Sequence, residues 1–400
     1  MLRYYKKHIF TLKEMLNELD PASSNFEHLV DIQIYILKRI LHTENKISDK
    51  KEELKELKSA LRTKSSSKEK SSNIKTKCLE IQKSIDGYYF LLYVWRCFGD
   101  GIAFKYLSKW NLKRLMFKSD SPDIKQSSGF IGGKKGIDNE FALLLEAKAN
   151  GVPALLCDLT NTIRHGDICL LGADDPYVIE VKSSDNTNKR VKRQRESIGK
   201  IHSYLESDAG DIAGIEIMQR VNLTVEERHN NDSFNTAIDS AVLGKSCSIN
   251  PEKGVHYIGY KIGSKPDYDA LMSGIKEPVV FLLNEVKNKK SWGNYYPFTL
   301  SIKSADSLFA FLKGDIFLIV VLDGRVMKEM AEDIGFKLDI VQSIDVGLQF
   351  TKNVSETEEP FTAIVSEHFT GRLGFEFLSL KWFFENEKNL LNQLQEKYGV

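Results

Sequence analysis

The sequence predicts an α/β protein with a helical N-terminal region, a central mixed segment and a mixed α/β C-terminal extension. Three observations predict it. Apolar residues recur at three- and four-residue steps over 26–61, a polar stretch rich in Gly, Ser and Pro follows Lys118, and helical and extended runs alternate beyond it. At 400 residues and 42% hydrophobic content the chain is long enough for two or three domains. The boundaries fall at 1–120, 126–220 and 221–400.

Within the first region, Leu29, Ile32, Ile36 and Ile40, then Leu54, Leu57 and Leu61, mark one amphipathic helix or two in succession. The Ser/Lys-rich run 62–77 has almost nothing apolar to bury and reads as a mobile loop, after which 78–110 reads as a helix packing back antiparallel. The same helices offer a surface for a homodimer or a gating partner protein, although an intramolecular hairpin is the simpler expectation. Past the linker come a helix over 137–149, extended runs near 154–158, 167–171 and 177–182, and a basic helix over 189–205. Farther on, the segments 214–225, 255–263, 277–286, 297–302 and 315–324 read as strands, while 304–314 and 377–398 read as helices.

Composition excludes some functions. No apolar run approaches the roughly 20 residues that span a bilayer, and the N-terminus lacks a signal peptide's apolar block, so the expected location is cytoplasmic, with no membrane partner. The five cysteines are scattered, without a C-x-x-C pair, and read as reduced thiols. Net charge is only +1, yet residues 1–120 hold 24 Lys/Arg against 15 Asp/Glu, an excess of 9, so nucleic acid would have to be bound by local patches.

The chemistry concentrates in "RHGDICLLGADDPYVIEVKSS", 164–184. Side chains alternate along a strand, which puts Glu180 and Lys182 on one side and Tyr177, Ile179 and Val181 on the packed side. The turn "GADDP" folds the strand starting at Asp167 back beside them and brings two carboxylates together. Such oxygen ligands suit Mg²⁺ or Mn²⁺, and Lys182 would orient an attacking water or stabilise an anionic transition state. In the same stretch Arg164 is a substrate-binding candidate, His165 reads as a surface loop residue, Asp174 and Asp175 read as turn formers, and Asp158 reads either as a cleft acid or as a strand end.

Asp, a variable hairpin, then Glu-x-Lys resembles the PD-(D/E)XK nuclease superfamily, which includes restriction endonucleases and archaeal-type Holliday junction resolvases. The resemblance spans about 130–220 and implies a restriction-endonuclease-like α-β-β-β-α-β core. It also implies metal ligation by Asp167, Glu180 and the Val181 carbonyl, catalysis by Lys182, and Gly166 in place of the family's proline. The segment "KKGIDNEFALLLEAKANG" resembles the resolvase opening helix, which implies that Glu140 is a further acid, Gly136 leaves room for a phosphate backbone, and Lys134 and Lys135 attract it. The segment "NKRVKRQRESIGKIHSYL" resembles the second helix, with Gln194 facing the site and Lys189, Arg190, Lys192, Arg193, Arg195 and Lys200 on phosphates.

A rival motif exists. Pro266-Asp267 followed by Glu285-Val286-Lys287 fits the motif literally, but its intervening segment looks helical and no basic helix closes it, so Glu285 and Lys287 read as a solvated strand end. The expected function is a Mg²⁺- or Mn²⁺-dependent endonuclease acting on DNA, of a size and layout suited to a prokaryotic antiviral defence or restriction-type effector. The alternatives are a non-catalytic nucleic-acid-binding or assembly module and an RNA-directed nuclease.

Overall fold

A computed structural model of the chain describes residues 1–62, 68–134, 136–181, 189–220, 225–341, 346–352 and 360–398. The chain divides into two compact units, Met1–Arg220 and Val221–Val400.

The first unit is built on three helices: α1 (Lys6–Glu18), α2 (Glu27–Arg62) and α3 (Lys68–Tyr106). The pattern over 26–61 forms one unbroken helix, with Ile32, Ile36, Ile40 and Ile47 fully buried. Helix α3 returns antiparallel to it, as the Thr43–Trp95 and Lys51–Tyr89 hydrogen bonds require (3.1 and 2.7 Å). These helices thus pair within the chain. The expected loop over 62–77 is mostly helix from Lys68 onward, because propagation from the packed part of α3 outweighs the weak local preference of Ser and Lys. From Leu91 to Phe104 α3 is buried on every side.

A short helix, α4 (Lys109–Arg114), leads into the Gly/Ser/Pro stretch, which is tied down along its length. Lys118 N donates to Asp123 O at 2.9 Å, Arg96 donates to Gly129 O at 2.9 Å, and the buried Glu44 carboxylate accepts from the Ile131 and Gly132 amides at 2.9 and 2.7 Å. What looked like a domain linker is therefore a strap, and both flanking regions belong to one unit.

Next come α5 (Ile137–Ala149), β1 (Ala154–Leu156), β2 (Ile168–Leu170) and β3 (Tyr177–Ile179), followed by α6 (Lys189–Ser207), β4 (Ala209–Ile212) and β5 (Ile215–Gln219). Strands β1, β2 and β3 form an antiparallel sheet in that order, with Leu156 opposite Ile168 and Ile168 opposite Ile179. Strand β4 pairs with β5 in a separate two-stranded sheet. Helix α2 closes the free edge of β1: the fully buried Gln33 donates to Ala154 O and accepts from Leu156 N, both at 2.9 Å, as a neighbouring strand would. Helix α3 holds the turn after β1. Arg96 donates to Asp158 O at 3.0 Å, the buried Asp100 accepts from the Asn161 and Thr162 amides, and Gly99 packs so closely on Leu159 O that any Cβ there would clash.

The second unit contains α7 (Asn231–Val242), β6 (Cys247–Glu252), β7 (Val255–Lys261), α8 (Tyr268–Leu271), β8 (Pro278–Leu282), α9 (Leu283–Asn288), α10 (Phe298–Ser301), α11 (Ala305–Lys313) and β9 (Ile316–Asp323). It ends with α12 (Gly324–Asp333), β10 (Lys337–Ile340), β11 (Val346–Lys352), β12 (Phe361–Ser366), α13 (Glu367–Phe375) and α14 (Leu380–Tyr398). Its sheets run β6-β7-β9-β8 and β10-β11-β12, all neighbours antiparallel. The segment 297–302, expected as a strand, is instead the helical turn α10. Pro297 opens it with φ −61°, and Phe298 is buried edge-on against Trp292 and Phe311. No helix among the described residues is long and apolar enough to cross a membrane. All five cysteines are free.

Candidate active site at the end of the three-stranded sheet

Register sets the site. The ladder pairs Ile168 with Ile179, so Asp167 and Glu180 flank the same end of it. Asp167 N donates to Ile179 O at 2.8 Å, and its carboxylate Oδ2 accepts from Val181 N at 2.7 Å. Thus the amide of Val181 grips Asp167, in addition to any use of its carbonyl. The faces differ from expectation at the other end of the strand: Val178 is buried, while Tyr177 is exposed and stacks on His202 at 4.3 Å between ring centroids. The stack satisfies Tyr177 on the outer face and frees the inner one for Val178.

Glu140 lies in the first turn of α5 and is only 5% exposed. Burial, then the charges of Asp167 and Asp158, push its carboxyl up to about 7; Lys134 opposes this and Glu180 adds to it. Its Oε2 is buried and has no hydrogen-bond partner among the described residues. Asp167 is also raised, first by burial and then by Asp158, against the Val181 amide and Lys134. Four acids therefore share one region: Glu140, Asp158, Asp167 and Glu180. A Cβ at Gly136 would stand 3.3 Å from Glu140 Oε1, so the glycine leaves room for that carboxylate.

Cations line the same region. Lys134 forms an ion pair with Asp158, so the acid weighed as a strand end belongs to the cluster. Lys125, which sequence reasoning passed over, is half-buried; burial lowers its pKa, and Glu180 only partly opposes the shift. Nothing local marks Lys125, because it enters from the strap rather than the motif. Arg164 is half-buried and donates to Asn161 O at 2.8 Å and to Lys125 O, so it braces the loop. His165, expected at the surface, is 1% exposed, because the strap and α6 close over it. Asp175 caps no catalytic group but pairs with Arg220 at 2.6 Å.

Helix α6 turns its apolar face, Ile198, Ile201 and Leu205, inward and leaves Lys189, Lys192, Arg193, Arg195 and Lys200 exposed. Gln194 lies one turn before Ser197 and Ile198 on the half-buried side. Arg190 is part of the helix. Lys135 and Lys182 lie outside the described residues.

The rival motif is dispersed into structure. Asp267 caps α8 by accepting from Ala270 N at 3.1 Å. Lys287 is 1% exposed on α9, not on a solvated strand end, and donates to Phe311 O at 2.6 Å, near the C-terminus of α11, where burial lowers its pKa to about 8. Glu285 pairs with Lys289 at 2.6 Å.

The donor set fits a hard divalent cation: it is all oxygen, and its mutual repulsion adds to burial in raising Glu140 and Asp167. Among the described residues no three His, Cys, Asp or Glu side chains are already gathered into a ligand group. Mg²⁺ takes one or two protein carboxylates and completes its shell with waters and substrate phosphate. No protein-family model, curated protein or solved structure matches the chain.

Proposed function

We propose that the chain is a metal-dependent nuclease that hydrolyses phosphodiester bonds, with DNA as its substrate. The observation that carries this reading is the convergence of Glu140, Asp158, Asp167 and Glu180 at one sheet end, with a buried, unpartnered carboxylate oxygen on Glu140. The order helix, three antiparallel strands, helix from α5 to α6 supports the first five elements of an α-β-β-β-α-β nuclease core, while β4 pairs with β5 outside that sheet, and the exposed cations of α6 support phosphate contact.

Asp167 and Glu180 would hold Mg²⁺ or Mn²⁺, aided by the Val181 carbonyl, with Glu140 beside them. When bound, such a cation lowers the pKa of a water and offsets charge on the phosphate. The chain's own residues do the rest. The Val181 amide fixes the Asp167 carboxylate. Glu140, poised near neutrality, can hold or release a proton as the local charge changes. In this reading Lys182 orients the attacking water or meets the developing anion, and Gln194 with Lys189, Arg190, Lys192, Arg193 and Arg195 places the backbone.

The test is cleavage of plasmid, linear duplex, single-stranded DNA and RNA in Mg²⁺, Mn²⁺ or EDTA by wild type, Asp167→Asn, Glu180→Gln and Lys182→Ala. Cleavage should require metal and fall by at least ~10²-fold in each variant. Full activity in Asp167→Asn and Glu180→Gln would remove this site from the reaction, and preferential cleavage of RNA would replace the substrate.

A further inference from the structure

We propose that Lys125 is a substrate-contacting cation of the same site, taking a phosphate oxygen, and that His165, two residues before Asp167, is its positioning residue. The assignment rests on the nuclease reading for its reaction but on separate residues for its geometry. Lys125 Nζ lies 3.2 Å from His165 Nδ1, and His165 Nε2 lies 2.9 Å from Phe117 O. A carbonyl can only accept and an ammonium can only donate, so the imidazole must carry its proton on Nε2 and offer the Nδ1 lone pair to the lysine. The ring is therefore a neutral acceptor that aims a positive charge without cancelling it.

The rest of the framework holds that aim. Phe117 bridges Ile124, Lys125 N donates to Met116 O at 2.9 Å, and Arg164 donates to Lys125 O, so the lysine backbone is fixed on both sides. Ser197 of α6 donates to Ser119 at 2.8 Å, which ties the basic helix to the strap beside the ring. Among the described residues His165 uses one of the three ammonium N–H bonds, and the charge of Glu180 acts on the same ammonium. A cation beside a cluster of four acids is suited to an incoming anion that the acids alone would repel.

Two measurements on the full-length protein test this. A short duplex DNA is titrated in EDTA at several salt concentrations, and cleavage of the same duplex in Mg²⁺ is followed with kcat and KM separated. Lys125→Met should reduce the slope of log K against log[salt] by about 0.9, one phosphate contact, and lower kcat by about 10²-fold. Lys125→Arg should restore the slope. His165→Ala should lower kcat by roughly tenfold and leave the slope unchanged, a split that a merely damaged fold would not give. If Lys125→Met melts early by circular dichroism, Lys125→Gln, which keeps a donor for His165 but no charge, decides in its place. A wild-type salt slope in the uncharged variants overturns the assignment, and so does a wild type without duplex affinity at any salt. A wild type that binds with a Lys125-dependent slope but never cleaves would remove the nuclease reading and keep Lys125 as a phosphate contact.

Discussion

Gly166 shows how much of the site is decided by one residue. Its φ is +68°, and a Cβ there would stand 3.0 Å from both Ile179 O and the Val178 Cβ, so the chain crosses β3 at closest approach in a left-handed conformation. That turn lets Asp167 N reach Ile179 O and Asp167 Oδ2 reach Val181 N. The proline that the motif's name places here has φ fixed near −65°, which this path excludes. As sequence, the glycine looked like neutral variation, since φ is set by a contact between strands that no local pattern records. Gly166→Ala should destabilise the fold by about 1–3 kcal/mol, and Gly166→Pro should not fold. At about 2–4 °C per kcal/mol for a unit of this size, thermal melting would detect the alanine variant, and an unchanged Tm would contradict the left-handed turn.

Among the elements, the short strands depend on helices that sequence reasoning set in another domain. Three residues per strand offer few ladder bonds, and β1 is an edge; Gln33 supplies the missing neighbour from α2. The helical period of 26–61 was legible because apolar spacing is a local property. That a glutamine on its buried face would finish a sheet more than a hundred residues away was not, because burial of an amide reads the same whatever it bonds. Gln33→Leu preserves the approximate volume and helix propensity but strands the Ala154 carbonyl and the Leu156 amide. It should cost roughly 2–4 kcal/mol, from two backbone groups left unsatisfied at about 1–3 kcal/mol each with partial compensation by apolar burial. Amide hydrogen exchange at Leu156 should accelerate in the variant; unchanged protection there would show that the strand does not need its substitute partner.

Across the whole molecule, the sequence was most informative where pattern and chemistry coincide. The segment from α5 to α6 runs in its expected order because turn residues, alternation and helix period agree there, and the ladder between β2 and β3 sets Asp167 and Glu180 at one end of the sheet. Where charge sits inside, reading failed: Lys287 and His165 are buried, and Lys125 reaches His165 from a stretch taken for a linker. The linker signal itself was real in composition, yet Glu44 and Arg96 bind its backbone and cancel its freedom. The consequence is a prediction about fragments. A fragment ending at residue 220 keeps α1, α2 and α3 with the sheet and should melt cooperatively by circular dichroism, because Glu44, Gln33, Arg96 and Asp100 hold strap, strand and turn in one unit. A shorter fragment of residues 121–220, cut at the compositional boundary, exposes the face of the turn that α3 covered and leaves the Asn161 and Thr162 amides without Asp100. It should be unfolded or molten, with dye-accessible apolar surface and no sharp transition. A sharp transition in the shorter fragment would mean that the helices are an accessory and that the mixed segment carries its own fold.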